Sequence, residues 1–207
     1  RIELIMGIMQ MIAAAGGLGA YLVSKSLRFN DDDEAYLNRT PSGAGNRKTW
    51  TLSFWVKRSS ASFQGIFCGG TSGTNSDDLY FNTETLEFSA YYGSDSLRLR
   101  TEQALRDYSA WYHIVISVDT TQNTSSDRIN IYINGVKVED FAIETYPAQD
   151  FEFTYLNNTS QHILGGNYYG TPGNYVDGSL ADVHFVDGLQ LDPTSFAEED
   201  ATTGQWV

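Results

Sequence analysis

The sequence predicts an all-β sandwich of two antiparallel sheets, and three observations carry that prediction. Apolar residues recur with a period of two along much of the chain, as they do in half-buried strands. Clusters of Gly, Asn, Ser and Thr separate these runs at short intervals, the spacing of sandwiches and barrels. No segment after residue 25 carries a convincing amphipathic helical stripe. The 207 residues, 41% hydrophobic and 14% aromatic, suffice for one sizeable core and exclude disorder over most of the chain.

The chain opens on a segment unlike the rest. Residues 4–23 carry no charge and hold all three Met and four Gly. About 20 apolar residues span a bilayer as a helix, and Arg1, the apolar run and Ala13-Ala14-Ala15-Gly16 imitate a secretory signal. Gly16, Gly17 and Gly19 weaken a helix, which counts against a span. A third reading is an apolar tail that docks on a neighbouring subunit. The organisation expected is a docking segment over residues 1–25, one sandwich over 26–191, and a tail over 192–207 open to continuation into a further domain.

Trp50, Leu52, Phe54 and Val56 alternate with Thr51, Ser53, Trp55 and Lys57, which places one apolar row on one strand face. Residues 78–81 and 86–91 read as a hairpin across Asn82-Thr83-Glu84-Thr85, and Leu97 and Leu99 mark a short strand after it. Tyr112, Ile114, Ile116 and Val118 form another alternating row, followed by Ile129, Ile131 and Ile133. Asn134-Gly135 then precedes Val136 and Val138 and offers the positive backbone angles of a two-residue hairpin turn. Residues 179–186 form a closing strand between two Val-Asp-Gly turns. Residues 69–76, 120–126 and 165–173 read as loops, and residues 192–200 as one helical turn at most.

Charge narrows the function. Twenty-six acidic residues against thirteen basic give a net charge of -13, which repels phosphate backbones and excludes nucleic-acid binding. Lys137 is the last basic residue, and twelve acids follow it. That surplus is either a solvated face or a calcium site. Cys68, the sole cysteine, forms no disulfide within the chain, and its apolar flanks read as an inert core.

No catalytic constellation is present, so no enzyme is expected. His113, His162 and His184 are too scattered for a zinc motif, and no Gly-x-Ser-x-Gly elbow occurs. Gly16-Gly17-Leu18-Gly19 lacks the flanking elements of a phosphate loop. Glu84, Glu87, Glu139, Asp140 and Glu144 do not reproduce the paired carboxylates of a glycosidase strand. His113 reads as structural or surface-exposed.

Three motifs follow in order: Trp111-Tyr112-His113-Ile114-Val115, Ile131-Tyr132-Ile133-Asn134-Gly135-Val136, and Asp177-Gly178-Ser179-Leu180-Ala181-Asp182-Val183-His184-Phe185. Together they resemble the laminin G and concanavalin A-like lectin families, which implies a jelly-roll sandwich. A narrower resemblance lies in Ser26-Leu27-Arg28-Phe29-Asn30, Tyr36-Leu37-Asn38-Arg39-Thr40-Pro41 and Asn46-Arg47-Lys48-Thr49-Trp50-Thr51, running into Phe54-Trp55-Val56-Lys57-Arg58. These segments look like virion structural proteins of marine tailed bacteriophages, including tail-fibre-like proteins. That resemblance implies a virion location, a homo-oligomer, and docking on other virion subunits through residues 4–23.

Binding is the chemistry left. Asn167-Tyr168-Tyr169-Gly170 and Gly173-Asn174-Tyr175 set aromatic faces beside amides, the way sugar rings and hydroxyls are held. Tyr168, Tyr169, Asn174 and Tyr175 are therefore candidate contacts to a host surface glycan, or the cover of a sandwich edge or subunit interface. Asp177 and Asp182, or the run Asp31-Asp32-Asp33-Glu34, supply hard oxygen ligands of the kind calcium takes. The resemblance to lectins suggests calcium, whereas the Asp run alone reads as a solvated turn. The alternative to a virion module is a secreted or cell-surface carbohydrate-binding protein, with residues 1–15 as its signal.

Overall fold

The computed structural model describes residues 25–72, 74–168 and 170–207, and in it the alternating runs become strands. In chain order they are β1 (Leu27–Phe29), β2 (Leu37–Arg39), β3 (Thr49–Arg58), β4 (Gln64–Ser72), β5 (Asn75–Asn82), β6 (Thr85–Tyr92), β7 (Asp95–Ala104), β8 (Tyr112–Asp119), β9 (Ile129–Ile133), β10 (Val136–Lys137), β11 (Phe141–Thr145), β12 (His162–Leu164), β13 (Asn167–Tyr168), β14 (Pro172–Gly173) and β15 (Gly178–Asp187). Helix among the described residues is confined to two 3-10 turns, Ser125–Asp127 and Pro193–Ser195. No described helix is long and apolar enough to cross a membrane, and every reading of residues 4–23 lies outside the described residues.

Six strands form one antiparallel sheet in the order β1-β15-β3-β8-β9-β10, and seven form the other, β11-β7-β6-β5-β4-β12-β2. A small β13–β14 ribbon stands apart. This is the two-sheet sandwich that the alternation predicts. The inward rows meet in the core: Trp50, Leu52, Phe54 and Val56 from β3 face Leu79, Phe81, Leu86, Phe88, Leu97 and Leu99, all at most 2% exposed. Trp50 sets the depth of the packing, with ring contacts to Phe88 at 6.0 Å and Phe153 at 5.2 Å. Burial of each such side chain contributes about 1.5–3 kcal/mol.

The Asn134-Gly135 turn forms as its residues dictate, with φ of +49° and +78°. Three elements depart from the sequence reading. Residues 69–76 are mostly strand, because the glycines there serve close approach: a Cβ on Gly69 would lie 3.0 Å from Tyr155 Cβ, and one on Gly70 would lie 2.9 Å from Ser76 Cβ. Residues 165–173 contain the β13–β14 ribbon, and the strand at Leu97 and Leu99 extends to ten residues as β7. β15 is interrupted by a bulge where Asp182 takes φ +48°, shifting its register on β3 between Ala181 and His184.

The outer face of the six-stranded sheet is not open to water. Thr51 and Ser53 are buried there because the C-terminal tail crosses them: Thr51 Oγ1 donates to the Leu189 carbonyl at 2.7 Å and accepts from Leu191 N at 2.9 Å. His113 lies on the same face, 1% exposed, which decides for the structural role over the surface one. Trp206 Nε1 donates to its Nδ1 at 2.8 Å, so Nε2 carries the ring proton and donates to Ser53 Oγ at 2.9 Å. The imidazole stacks on Trp55 at 4.9 Å and on Trp206 at 6.0 Å. Burial pushes its pKa down to about 4. Gly135 admits the Trp206 ring: a Cβ there would lie 2.6 Å from Trp206 Cε3.

Candidate functional site

The seven-stranded sheet carries an outer face built differently, a polar field of charged and hydroxyl side chains whose centre is also buried. Leu79 and Phe81 point into the core, so period-two alternation sends Asp78 and Tyr80 outward. Register then gathers a polar field around them. Asp78 lies opposite Cys68 and Ser89, Tyr80 opposite Gly65 and Glu87, and Arg98 and Arg100 opposite Ser89 and Glu87.

Glu87 is the centre of that field, with a side chain fully buried. Its carboxylate accepts from Tyr80 Oη at 2.6 Å, Asn82 Nδ2 at 3.2 Å and Arg98 Nε at 2.6 Å, while Arg100 Nε stands 3.9 Å away. Desolvation, reinforced by Glu87, pushes the Tyr80 hydroxyl far above its usual range. Asp78 differs: Ser76 Oγ donates to its Oδ2 and the Cys68 thiol lies within reach of the carboxyl, but its buried Oδ1 accepts from no nitrogen or oxygen donor. Desolvation pushes its pKa up to about 7. Neighbouring Asp77 faces the other way and is structural, accepting from Tyr155 N at 2.8 Å, Leu156 N at 2.9 Å and the Tyr92 hydroxyl.

The β13–β14 ribbon lies across β4 at this field. Gly65 N donates to the Asn174 carbonyl at 2.7 Å, and a Cβ on Gly65 would lie 2.5 Å from Asn167 N. Only glycine lets the ribbon sit that close. The Tyr168 backbone reaches the Cys68 thiol, whose pKa burial pushes far up, in line with an inert core thiol. Asn174, at φ +48°, donates from Nδ2 to Asn167 Oδ1 at 3.0 Å, while the buried Asn167 Nδ2 has no partner.

The ribbon segment thus holds three of the four residues singled out for sugar binding; Tyr169 lies outside the described residues. Tyr168 is half-buried and Asn174 exposed. The Tyr175 ring stacks on Tyr36 at 5.9 Å, and its hydroxyl donates to the Pro172 carbonyl at 2.9 Å. Sequence reasoning missed Tyr36, Asp78 and the Glu87–Arg98–Arg100 group. The signal for most of them was present: Glu87 alternates with Leu86 and Phe88, and Arg98 and Arg100 with Leu97 and Leu99.

The acidic candidates for calcium have protein partners. Asp177 pairs with Arg28 at 3.6 Å, and Asp182 with His184 Nε2 at 2.9 Å. Asp31 to Glu34 form a turn in which Asn30 Nδ2 donates to Asp33 at 2.8 Å and Glu34 N to the Asp31 carbonyl at 3.0 Å. Among the described residues no group of three or more His, Cys, Asp and Glu side chains is placed to hold a metal ion.

A family model described as the concanavalin A-like lectin/glucanases superfamily matches residues 30–193. The chain belongs to this superfamily. Comparison with curated proteins gives no match. Among solved structures, the CBM40 of the Ruminococcus gnavus IT-sialidase bound to α2,3-sialyllactose is similar at 14% identity and TM-score 0.53, over 79% of this chain and 96% of that one. The mouse laminin α1 LG4-5 domains match at 14% identity and TM-score 0.55, over 86% of this chain and 46% of that one. The heptameric SAP-like pentraxin of Limulus polyphemus matches at 14% identity and TM-score 0.52, over 72% and 68%. At these identities the superfamily likeness is one of fold, and function is argued from the site.

Proposed function

We propose that this chain is a bacteriophage virion module, of tail-fibre or decoration type, whose sandwich binds a host surface glycan at the β13–β14 ribbon. The observation that carries the binding half is the ribbon itself: half-buried Tyr168 and exposed Asn174 lie on a segment that covers a buried polar field, in which Asp78 Oδ1 of the sheet and Asn167 Nδ2 of the ribbon have no nitrogen or oxygen partner. Aromatic rings with amide and carboxyl groups around them suit the apolar faces and hydroxyls of a sugar. A structural relative of like fold is a carbohydrate-binding module bound to sialyllactose, which supports the same reading. The virion half rests on the resemblance carried by residues 26–58.

The test is titration of the full chain against bacterial surface glycans, with calcium and then with chelator. Saturable binding that Tyr168→Ala weakens about tenfold, without loss of thermal stability, is the expected result. Absence of binding in both conditions overturns the glycan reading, and loss of binding only in chelator assigns the site a calcium ion. Peptides of this chain in gradient-purified phage particles are expected, and their absence overturns the virion reading.

A further inference from the structure

At the edge where β1 and β15 face β2 and β12, the two sheets leave a groove of about 780 Å³. Its walls are mostly apolar, with Leu37, Leu164, Val183 and Phe185 half-buried along it and Phe67 and Leu180 at its floor. One lip is held firmly: Gly45 N donates to the Asn157 carbonyl at 2.9 Å, and Asp187 accepts from Asn46 N at 2.7 Å and Asn157 Nδ2 at 2.6 Å. The other lip is the chain itself. Lys25, Ser26 and Leu27 line the groove, and the residues leading into them are the uncharged run 4–23.

We propose that this groove seats part of residues 4–23 of the same chain. Apolar walls left in water cost about 25 cal/mol per Å² of apolar surface, and an uncharged run rich in Ile, Leu and Met is the matching cover. The segment enters at the lip, so its tether holds it at an effective concentration in the millimolar range, which favours its own groove over that of another molecule. A cavity of this size takes a few side chains, not twenty. Gly16, Gly17 and Gly19 supply the backbone freedom to turn residues 5–12 back over the lip. The resemblance carried by residues 26–58 implies a neighbouring subunit as the dock; the groove gives the segment a seat nearer by.

Disulfide trapping in the full chain tests this. Met9 is sixteen residues from Lys25, a flexible reach of roughly 22 Å, so it meets many surface positions if unseated. Met9→Cys is paired with Ser42→Cys on the groove rim, or with Ser94→Cys in the β6–β7 turn, four strands across the sheet from β2. Cys68 is buried and does not compete. The Ser42 pair is expected to close within one chain at least tenfold faster than the Ser94 pair. That preference is expected to vanish when Ile5→Ser, Ile8→Ser and Ile12→Ser are added, since the tether is kept and only the apolar side chains are lost. Equal rates for the two pairs overturn the proposal, as does retention of the preference in the serine variant. Disulfides formed only between chains assign the groove to a second copy. Flotation of the full chain with phosphatidylcholine vesicles, without trapping, assigns the segment to a membrane; either result overturns the proposal.

Discussion

The two outer faces of the sandwich solve one problem in opposite ways. Both sheets turn polar residues away from a shared core, yet the six-stranded sheet has its outer face sealed by the tail through Trp206 and the Leu189 carbonyl. The seven-stranded sheet instead leaves its face polar, neutralises Glu87 with two arginines, and lays only a short ribbon over part of it. A sealed face can hold a neutral histidine; a polar face keeps a carboxyl group short of partners. The contrast also predicts opposite responses to pH. His113 has a lowered pKa, so the unfolded chain takes up its proton first and stability falls on acidification. Asp78 has a raised pKa, so the folded chain binds the proton more tightly and stability falls as pH rises.

Breaking the polar face at its centre has the largest expected effect. Glu87→Ala strands Arg98 and the Tyr80 hydroxyl around a buried gap and is expected to cost about 4 kcal/mol, read by urea denaturation. On the sealed face, acidification from pH 6.5 to 4 is expected to remove about 3 kcal/mol through His113, a loss that Asp78 offsets over the same range in the wild type, so it is read as the difference between the wild-type and His113→Gln profiles. His113→Gln cannot be charged and is expected to gain stability relative to the wild type by that amount on acidification; an unchanged slope would show that another group titrates.

Gly135→Ala adds a Cβ at φ +78° against the Trp206 ring and is expected to cost about 2 kcal/mol, with a rise in indole exposure seen by fluorescence quenching. Asp78→Asn sharpens the contrast with the least change. At pH 8 it removes a desolvated charge and is expected to stabilise by about 1 kcal/mol, whereas at pH 5, where Asp78 is already protonated, the gain is expected to disappear.

What the sequence made legible follows from distance along the chain. β3, β8, and the β9–β10 hairpin are written in local alternation and in the Asn134-Gly135 pair, so they could be read directly. The strand character of residues 69–72 could not, because Gly69 and Gly70 serve Tyr155 and Ser76 as spacers while composition alone says loop. His113 was ambiguous for a similar reason, since its cover, Trp206, is 93 positions away. The ribbon that carries Tyr168 and Asn174 was visible in composition, but Asp78, which it lies near across β4, comes from a strand some ninety residues earlier. Tyr36, which takes up the Tyr175 ring, is more distant still.

Cys68 gives the candidate site its own clock. The thiol is buried and touched by the Tyr168 backbone, so a disulfide reagent in solution reacts with it only after the ribbon lifts from β4. Labelling rates in native buffer therefore count how often the ribbon opens, separately from unfolding of the whole sandwich. A ligand clamped beneath or beside Tyr168 would slow that count in proportion to its occupancy, which makes the only cysteine a built-in gauge of whether this corner of the molecule is filled.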